Sequence, residues 1–481
     1  MTVTAAEAES PTRKPVFSSG YKSLVLSLLL LAYTFNFIDR TIIATIGQAI
    51  KVDLKLTDTQ LGLLGGLSFA VLYTLLGIPI ARIAERWNRV SIIALAMVIW
   101  SGFTVACGFA GSFVQLLAMR VGVGVGEAGC SPPSHSLISD YYEPKRRATA
   151  LSVYAFGIPL GGMIGAVAGG WLAKNFGWRV AFMAVGAPGV IMALILKLIV
   201  KEPPRGHSDP VQKAVAVAAK FSVAGELREL GAVAKSLFGS WPIFNMVMGV
   251  TLVSFAGYGI GQFAAPYFIR TFGLDYATVG LIFGLIGGFS AGLGTIAGGV
   301  VSDRASRWGT AWYALTPAIG VAIAAPLYFL AYTRPDWRVA AVILLFPGIF
   351  GYTYLGPTFA VVQNVVETHR RATATAVLFL FLNIIALGGG PLFTGWVIDL
   401  LAQSRFPGGH FATACPGGVA PHGALPALAA QCKTALLGGT RQGILVTIAF
   451  YVWGSLHYLL ASFGLSKELA RVAADRKLRE T

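Results

Sequence analysis

The sequence predicts an all-α integral membrane protein of twelve transmembrane helices, built as two parallel six-helix repeats. Three observations carry the prediction. Hydrophobic residues make up 55% of the 481-residue chain and charged residues only 12%, against about 25% charged in soluble proteins. Apolar runs long enough to cross a bilayer, about 20 residues each, recur twelve times. Two short motifs also return at nearly one offset. Arg146-Arg147-Ala148-Thr149-Ala150 recurs as Arg370-Arg371-Ala372-Thr373-Ala374, 224 positions on, and Glu85-Arg86-x-x-Arg89 recurs as Asp303-Arg304-x-x-Arg307, 218 positions on. Each falls in the equivalent loop of its half. Six helices return the chain to its starting side, so the repeats run parallel.

In chain order, residues 1–20 are polar and predict a disordered N-terminus. The apolar run that follows exceeds the roughly 7–15 residues of a signal h-region, so it predicts a retained first helix. The N-terminal half, 21–200, holds predicted spans at 21–46, 59–81, 91–110, 113–140, 147–173 and 179–200. Residues 201–240 link the halves, and Lys201-Glu202-Pro203-Pro204-Arg205-Gly206 stops the sixth helix. Val211 to Phe238 has the pattern of a basic amphipathic helix lying on the membrane face; it fits a solvated linker equally well. The C-terminal half, 241–465, holds spans at 241–269, 277–301, 310–332, 338–365, 372–400 and 440–463, with a long Gly-, Pro- and Ala-rich loop at 402–439. The tail, 466–481, is polar.

The net charge of +16 does not point to nucleic acid, because no basic–aromatic surface cluster accompanies it. Most Lys and Arg residues fall in segments on the side of the N-terminus. The positive-inside rule then places both termini in the cytoplasm, in a multi-pass protein of an inner membrane. Cys415 and Cys432 share the outer loop and are expected to pair in an oxidising compartment, whereas Cys107 and Cys130 lie within spans and are expected to stay free. No Walker loop, His-Glu-x-x-His or Cys-His cluster is present, and His135 is isolated. The expectation is a protein without cofactor, metal site or catalytic centre, acting as a monomer.

Charges inside the spans are the candidate functional residues, because an unpaired charge in lipid costs several kcal/mol. Asn36, Asp39 and Arg40 share one face of the first helix, at i, i+3 and i+4. Arg120 and Glu127 share a face of the fourth. At ~1.5 Å per residue, Asp39 and Arg120 both lie roughly 10 Å from the outer helix ends, where they can meet, and Glu127 lies roughly 20 Å in. These groups fit a structural ion pair; Glu127, among Gly122, Gly124, Gly126 and Gly129, also fits a proton carrier, since desolvation favours its neutral form.

Gly157, Gly161, Gly165 and Gly169 form a row on the fifth helix, and Gly280, Gly284, Gly288 and Gly292 a row on the eighth. Such rows let helices approach closely, and the two predict a packed, sliding contact between the halves. The Glu85, Arg86, Arg89 and Asp303, Arg304, Arg307 loops read as conformational latches, or as ordinary solvated charge. In the second half the polar groups are Tyr258, Gln262, Tyr354, Gln363, Asn364 and Asn383 among many Phe residues. Phe255, Tyr258 and Gln262 share a face.

These motifs resemble the major facilitator superfamily and, within it, the Spinster family of lipid transporters. The resemblance rests on Asn36-x-x-Asp39-Arg40, Arg120-x-x-x-Gly124-x-Gly126-Glu127-Ala128, Ile138-x-Asp140, Arg147-x-x-x-Leu151-Ser152 and Phe156-x-Ile158-Pro159. The loop at Glu85 departs from the superfamily pattern: Ala81 and Asn88 stand for glycines and Glu85 for Asp. The resemblance implies proton-coupled movement of an amphipathic lipid, of lysophospholipid or sphingoid type. Asp39 and Glu127 would then carry protons, with Arg40 and Arg120 as partners. The charge asymmetry between the halves predicts a headgroup near Asn36, Arg40, Arg120 and Glu127 and a tail along Phe255, Tyr258 and Phe263. Organic-anion symporters of the superfamily share the Asp-Arg and Gly-x-Gly-Glu-Ala patterns and are the alternative.

Overall fold

In the computed structural model, residues 17–208, 223–366 and 371–480 are described; Arg370 lies outside them. The chain crosses in twelve helices: α1 (Ser19–Asp53), α2 (Asp58–Ala84), α3 (Arg89–Cys107), α4 (Phe113–Tyr141), α5 (145–176), α6 (178–199), α7 (Trp241–Phe272), α8 (Tyr276–Trp308), α9 (Trp312–Tyr332), α10 (Trp337–Asn364), α11 (Thr373–Arg405) and α12 (Pro426–Glu480). The run Lys145–Ile199 is helical apart from Phe156, but its 55 residues would span ~80 Å at ~1.5 Å each, well beyond a ~30 Å hydrocarbon core. Gly177, at φ +84°, reverses the chain there. Both ends of the described chain lie on one face, termed the terminal face; the other is the distal face.

Several helices bend where their sequence permits it. Gly66 (φ −122°, ψ −89°) breaks α2, and α4 breaks after Glu127, restarting at Ser131-Pro132-Pro133. In α11, Leu382–Gly389 is π-helical. The breaks in α2 and α11 face each other: a Cβ on Gly66 would lie 2.6 Å from the Leu387 carbonyl oxygen.

The halves touch near the distal face and part toward the terminal face. At the distal end of the α5–α8 seam, a Cβ on Gly170 would stand 2.3 Å from the Tyr276 oxygen and one on Gly280 2.2 Å from the Ala166 oxygen. In the α2–α11 seam, a Cβ on Gly62 would stand 2.2 Å from the Pro391 oxygen and one on Gly395 2.1 Å from the Asp58 oxygen. Leu61 is counted within the core of the second half. Further along α8, a Cβ on Gly288 would first meet Met163 at 3.7 Å, and none lies within 4 Å of Gly287 or Gly292. The space between the halves therefore opens at the terminal face.

Two expectations need correction. The linker helix, Val223–Phe238, does not lie free on the membrane face: Val233 and Leu237 are fully buried in the second half's core, and Phe238 packs on Phe381 at 4.7 Å. Its apolar stripe finds protein before it finds lipid. Residues 209–222 of the expected helix lie outside the described residues. The second correction concerns 402–439, which is less a loop than two helix ends and a short cap. α11 runs to Arg405 and α12 begins at Pro426, with Cys415 of the cap bonded to Cys432 near the start of α12.

Candidate functional site

The site is assembled by α1 and α4. Glycines bring α4 in: a Cβ on Gly124 would lie 2.8 Å from the Phe69 oxygen of α2, and one on Gly126 2.5 Å from the Trp100 nitrogen of α3. That close seating carries Glu127 to α1, where Arg40 Nε donates to Glu127 Oε2 at 2.6 Å. The Glu127 side chain is fully buried and Arg40 is 20% exposed. The Arg40 guanidinium also stands 4.9 Å from the Phe37 ring and 4.6 Å from the rings of Phe69 and Tyr73. An aromatic face stabilises such a cation by ~0.5–2 kcal/mol.

The pair is surrounded by buried polar atoms without a protein partner. They include both amide atoms of Asn36, Asp39 Oδ1, Thr104 Oγ1, Arg120 Nε and Glu127 Oε1. Arg120 Nη1 reaches the main-chain oxygen of Asp39 at 3.4 Å. The sequence places Asp39 and Arg120 at one depth, and they do meet there. Among the described residues, however, no ion pair joins the Asp39 carboxylate to Arg120. A partnerless polar group in a dry site costs ~1–3 kcal/mol.

The second-half candidates divide. Tyr258, 45% exposed, is the one that stays open to its surroundings. Asn383 is half-buried in the π-helical turn. Phe263 is fully buried in the second-half core and cannot line a tail site. Gln262 is buried at the α2 seam, where Gly65 gives it room. Tyr354 is buried and hydrogen-bonds Ser254 at 2.9 Å. Phe255 packs on Phe450 and Phe393 at 4.7 and 5.5 Å. Sequence reasoning missed Phe37, Phe69 and Tyr73, which look like ordinary apolar helix residues until α1 and α2 are side by side.

The latch motifs are likewise rearranged. Glu85 pairs with its neighbour Arg82 at 3.3 Å, and Arg86 is exposed. Arg89 is the buried member: it pairs with Asp140 at 2.5 Å and Glu202 at 2.6 Å, tying α3 to the ends of α4 and α6. Asp303 accepts from Tyr313 at 3.0 Å, while Arg304 and Arg307 are exposed. The helix-five glycines also turn elsewhere than expected. Gly157, Gly161, Gly165 and Gly169 seat α5 on Thr34, Ile38 and Ile42 of α1, within one half. On α8, Gly280 and Gly284 do meet α5; Gly288 only approaches it and Gly292 meets nothing.

The distal seam holds a buried network the sequence did not single out. Asp58 pairs with Lys51 and with Arg270, each at 2.5 Å. Arg270 also donates to Gln48 at 2.7 Å and Thr440 at 2.8 Å. Asp399 accepts from the backbone N–H groups of Asp58 and Thr59 at 2.9 and 2.7 Å. Lys51 and Arg270 resemble ordinary loop-flanking charges in the sequence; only their burial marks them.

Residues 29–401 match the family model described as the Major Facilitator Superfamily. An MFS-type efflux pump of Mycolicibacterium smegmatis is 31% identical over 384 residues, covering 79% of this chain and 85% of that protein. The hexuronate transporter of Bacillus subtilis is 28% identical, covering 78% and 87%. The crystal structure of a bacterial homologue of the human lysosomal transporter Spinster, inward-facing and unoccupied, superposes with a TM-score of 0.81 at 36% identity, covering 94% of this chain and 99% of that one.

Proposed function

The chain belongs to the major facilitator superfamily, and from that premise we propose that it is a proton-coupled transporter of an amphipathic lipid, of lysophospholipid or sphingoid type. The Arg40–Glu127 pair carries the reading. It borders the space between the halves, it is ringed by partnerless polar atoms, and the second half across that space carries, among the described residues, no buried charge beside it but exposes Tyr258. In this reading the headgroup docks against Asn36, Arg40 and Arg120. Protonation of Glu127 removes the anion that holds Arg40, so the guanidinium becomes available to a phosphate or carboxylate. Asp39, with a bare buried oxygen, is the second proton carrier. One polar anchor opposite an apolar wall suits a molecule with one polar end. The terminal face is cytoplasmic, the membrane is an inner membrane, and the protein acts as a monomer.

The relative that is a hexuronate transporter favours a second reading, in which Arg40 clamps the carboxylate of a small anion. Proteoliposomes under an imposed pH gradient separate the two. Lipid uptake should strengthen as the acyl chain lengthens, since each buried CH₂ contributes about 0.8 kcal/mol. Indifference to chain length with competition by a soluble carboxylate would replace the lipid reading by the anion one.

A further inference from the structure

The cap between α11 and α12 is built as part of the second half, yet its tip rests on the first. Its base is pinned to α11. Gln403 donates to the Gly409 oxygen at 2.7 Å and accepts from the Phe411 N–H at 2.8 Å. Phe406, Phe411, Cys415, Cys432 and Leu436 form a small core of their own, closed by the Cys415–Cys432 bond. Its tip is the turn Cys415-Pro416-Gly417-Gly418. Gly417 and Gly418 adopt φ +70° and +85°, a region that L side chains rarely enter. A Cβ on Gly417 would also lie 2.9 Å from the Lys51 oxygen and 3.2 Å from Val52 Cα, and one on Gly418 3.4 Å from Lys51 Nζ. Conformation favours glycine at both positions, and at Gly417 the close contact with the end of α1 requires it as well.

What the tip covers is the distal seam. Lys51, beneath it, is the first-half cation on Asp58, and Asp58 is held from the other half by Arg270. Asp399, on the helix from which the cap springs, accepts the N–H groups at the start of α2. The space left between Lys51, Thr57, Asp399, Phe411 and Cys415 is about 20 Å³, room for about one water. Parting the halves at the distal face must lift the tip from α1 and expose this charge cluster together.

We infer that the disulfide-closed segment 406–436 is a strap that holds the distal face shut, its Gly417-Gly418 tip seated on α1 over the Lys51–Asp58–Arg270 network. Without the Cys415–Cys432 bond the tip is no longer presented in one shape, its seat on α1 is lost, and the distal seam opens more often.

Hydrogen exchange on the full-length protein in lipid nanodiscs tests this without any substrate, so it stands or falls apart from the transport reading. Three proteins are compared with the oxidised wild type: wild type reduced after folding by a water-soluble phosphine, C415S/C432S, and G417A with its disulfide intact. Exchange should rise about threefold or more in 57–62 and also in 276–284, a seam segment the strap does not touch, because the open population has grown. Acceleration confined to 406–436 overturns the inference. So does unchanged exchange at 276–284 in the reduced and serine proteins, or a G417A protein that matches wild type in both segments.

Discussion

Arg40 and Glu127, 87 positions apart, meet at 2.6 Å with the carboxylate fully buried and the guanidinium still touching the space between the halves. One partner of the ion pair can therefore be reached from that space while the other is shielded. Breaking a buried pair by removing one charge costs ~3–5 kcal/mol, so whatever neutralises Glu127 also changes what Arg40 can bind.

Glu127→Gln keeps the shape and removes the titratable oxygen. Proton-driven accumulation in proteoliposomes should fall about a hundredfold, the lower range for loss of a positioned proton-transfer group. Exchange of lipid down its own gradient should survive. Wild-type accumulation in E127Q would assign the coupling elsewhere.

Asp39→Asn is judged on its own. Asp39 Oδ1 is buried without a partner, so the neutral amide costs little in folding, within ~1 kcal/mol by thermal unfolding. Accumulation driven by a pH gradient should nevertheless drop. A D39N protein that is strongly destabilised yet accumulates normally would mark Asp39 as a packing residue.

Asp58→Asn should act on the conformational balance. It leaves Arg270 and Lys51 buried without their shared anion, a loss of ~3–5 kcal/mol from the distal-closed state. A cysteine placed at the seam should become more accessible to a reagent added from the distal side. Unaltered labelling would show that Asp399 and the glycine contacts close the seam unaided.

The glycine rows divide along α8. Gly280→Ala puts a methyl 2.2 Å from the Ala166 oxygen and should weaken the distal-closed state by ~1–3 kcal/mol, the usual cost of overpacking. Gly292→Ala meets nothing within 4 Å and should be neutral or raise stability by up to ~1 kcal/mol through helix propensity. Unfolding and seam-accessibility measurements on the two proteins should separate; equal effects would contradict the taper of the seam.

Much of this was legible in order of residues alone. Hydropathy and the two repeated loops specify twelve spans in two halves, because a helix that satisfies its own backbone is the way an apolar run crosses lipid. Charges within spans are expensive wherever they sit, so Asp39, Arg40, Arg120 and Glu127 announced themselves without a structure, as did the lone pair of cysteines in one loop. What α1 and α4 exchange was not legible: which arginine takes Glu127 depends on Å-scale seating set by Gly124 and Gly126 against α2 and α3. Phe263 and Tyr258 carry the same aromatic signal on one helix, and only packing shows one in the core and the other exposed. Lys51, Asp58, Arg270 and Asp399 look like loop-end charges because burial is a property of the partner surface. The sequence by itself determined the spans, the halves and the charged centre, since these follow from local hydrophobicity and periodicity. The tertiary structure alone decided the pairings, the closed distal face and the cap's seat on α1, since these join residues from different helices whose approach no local pattern encodes.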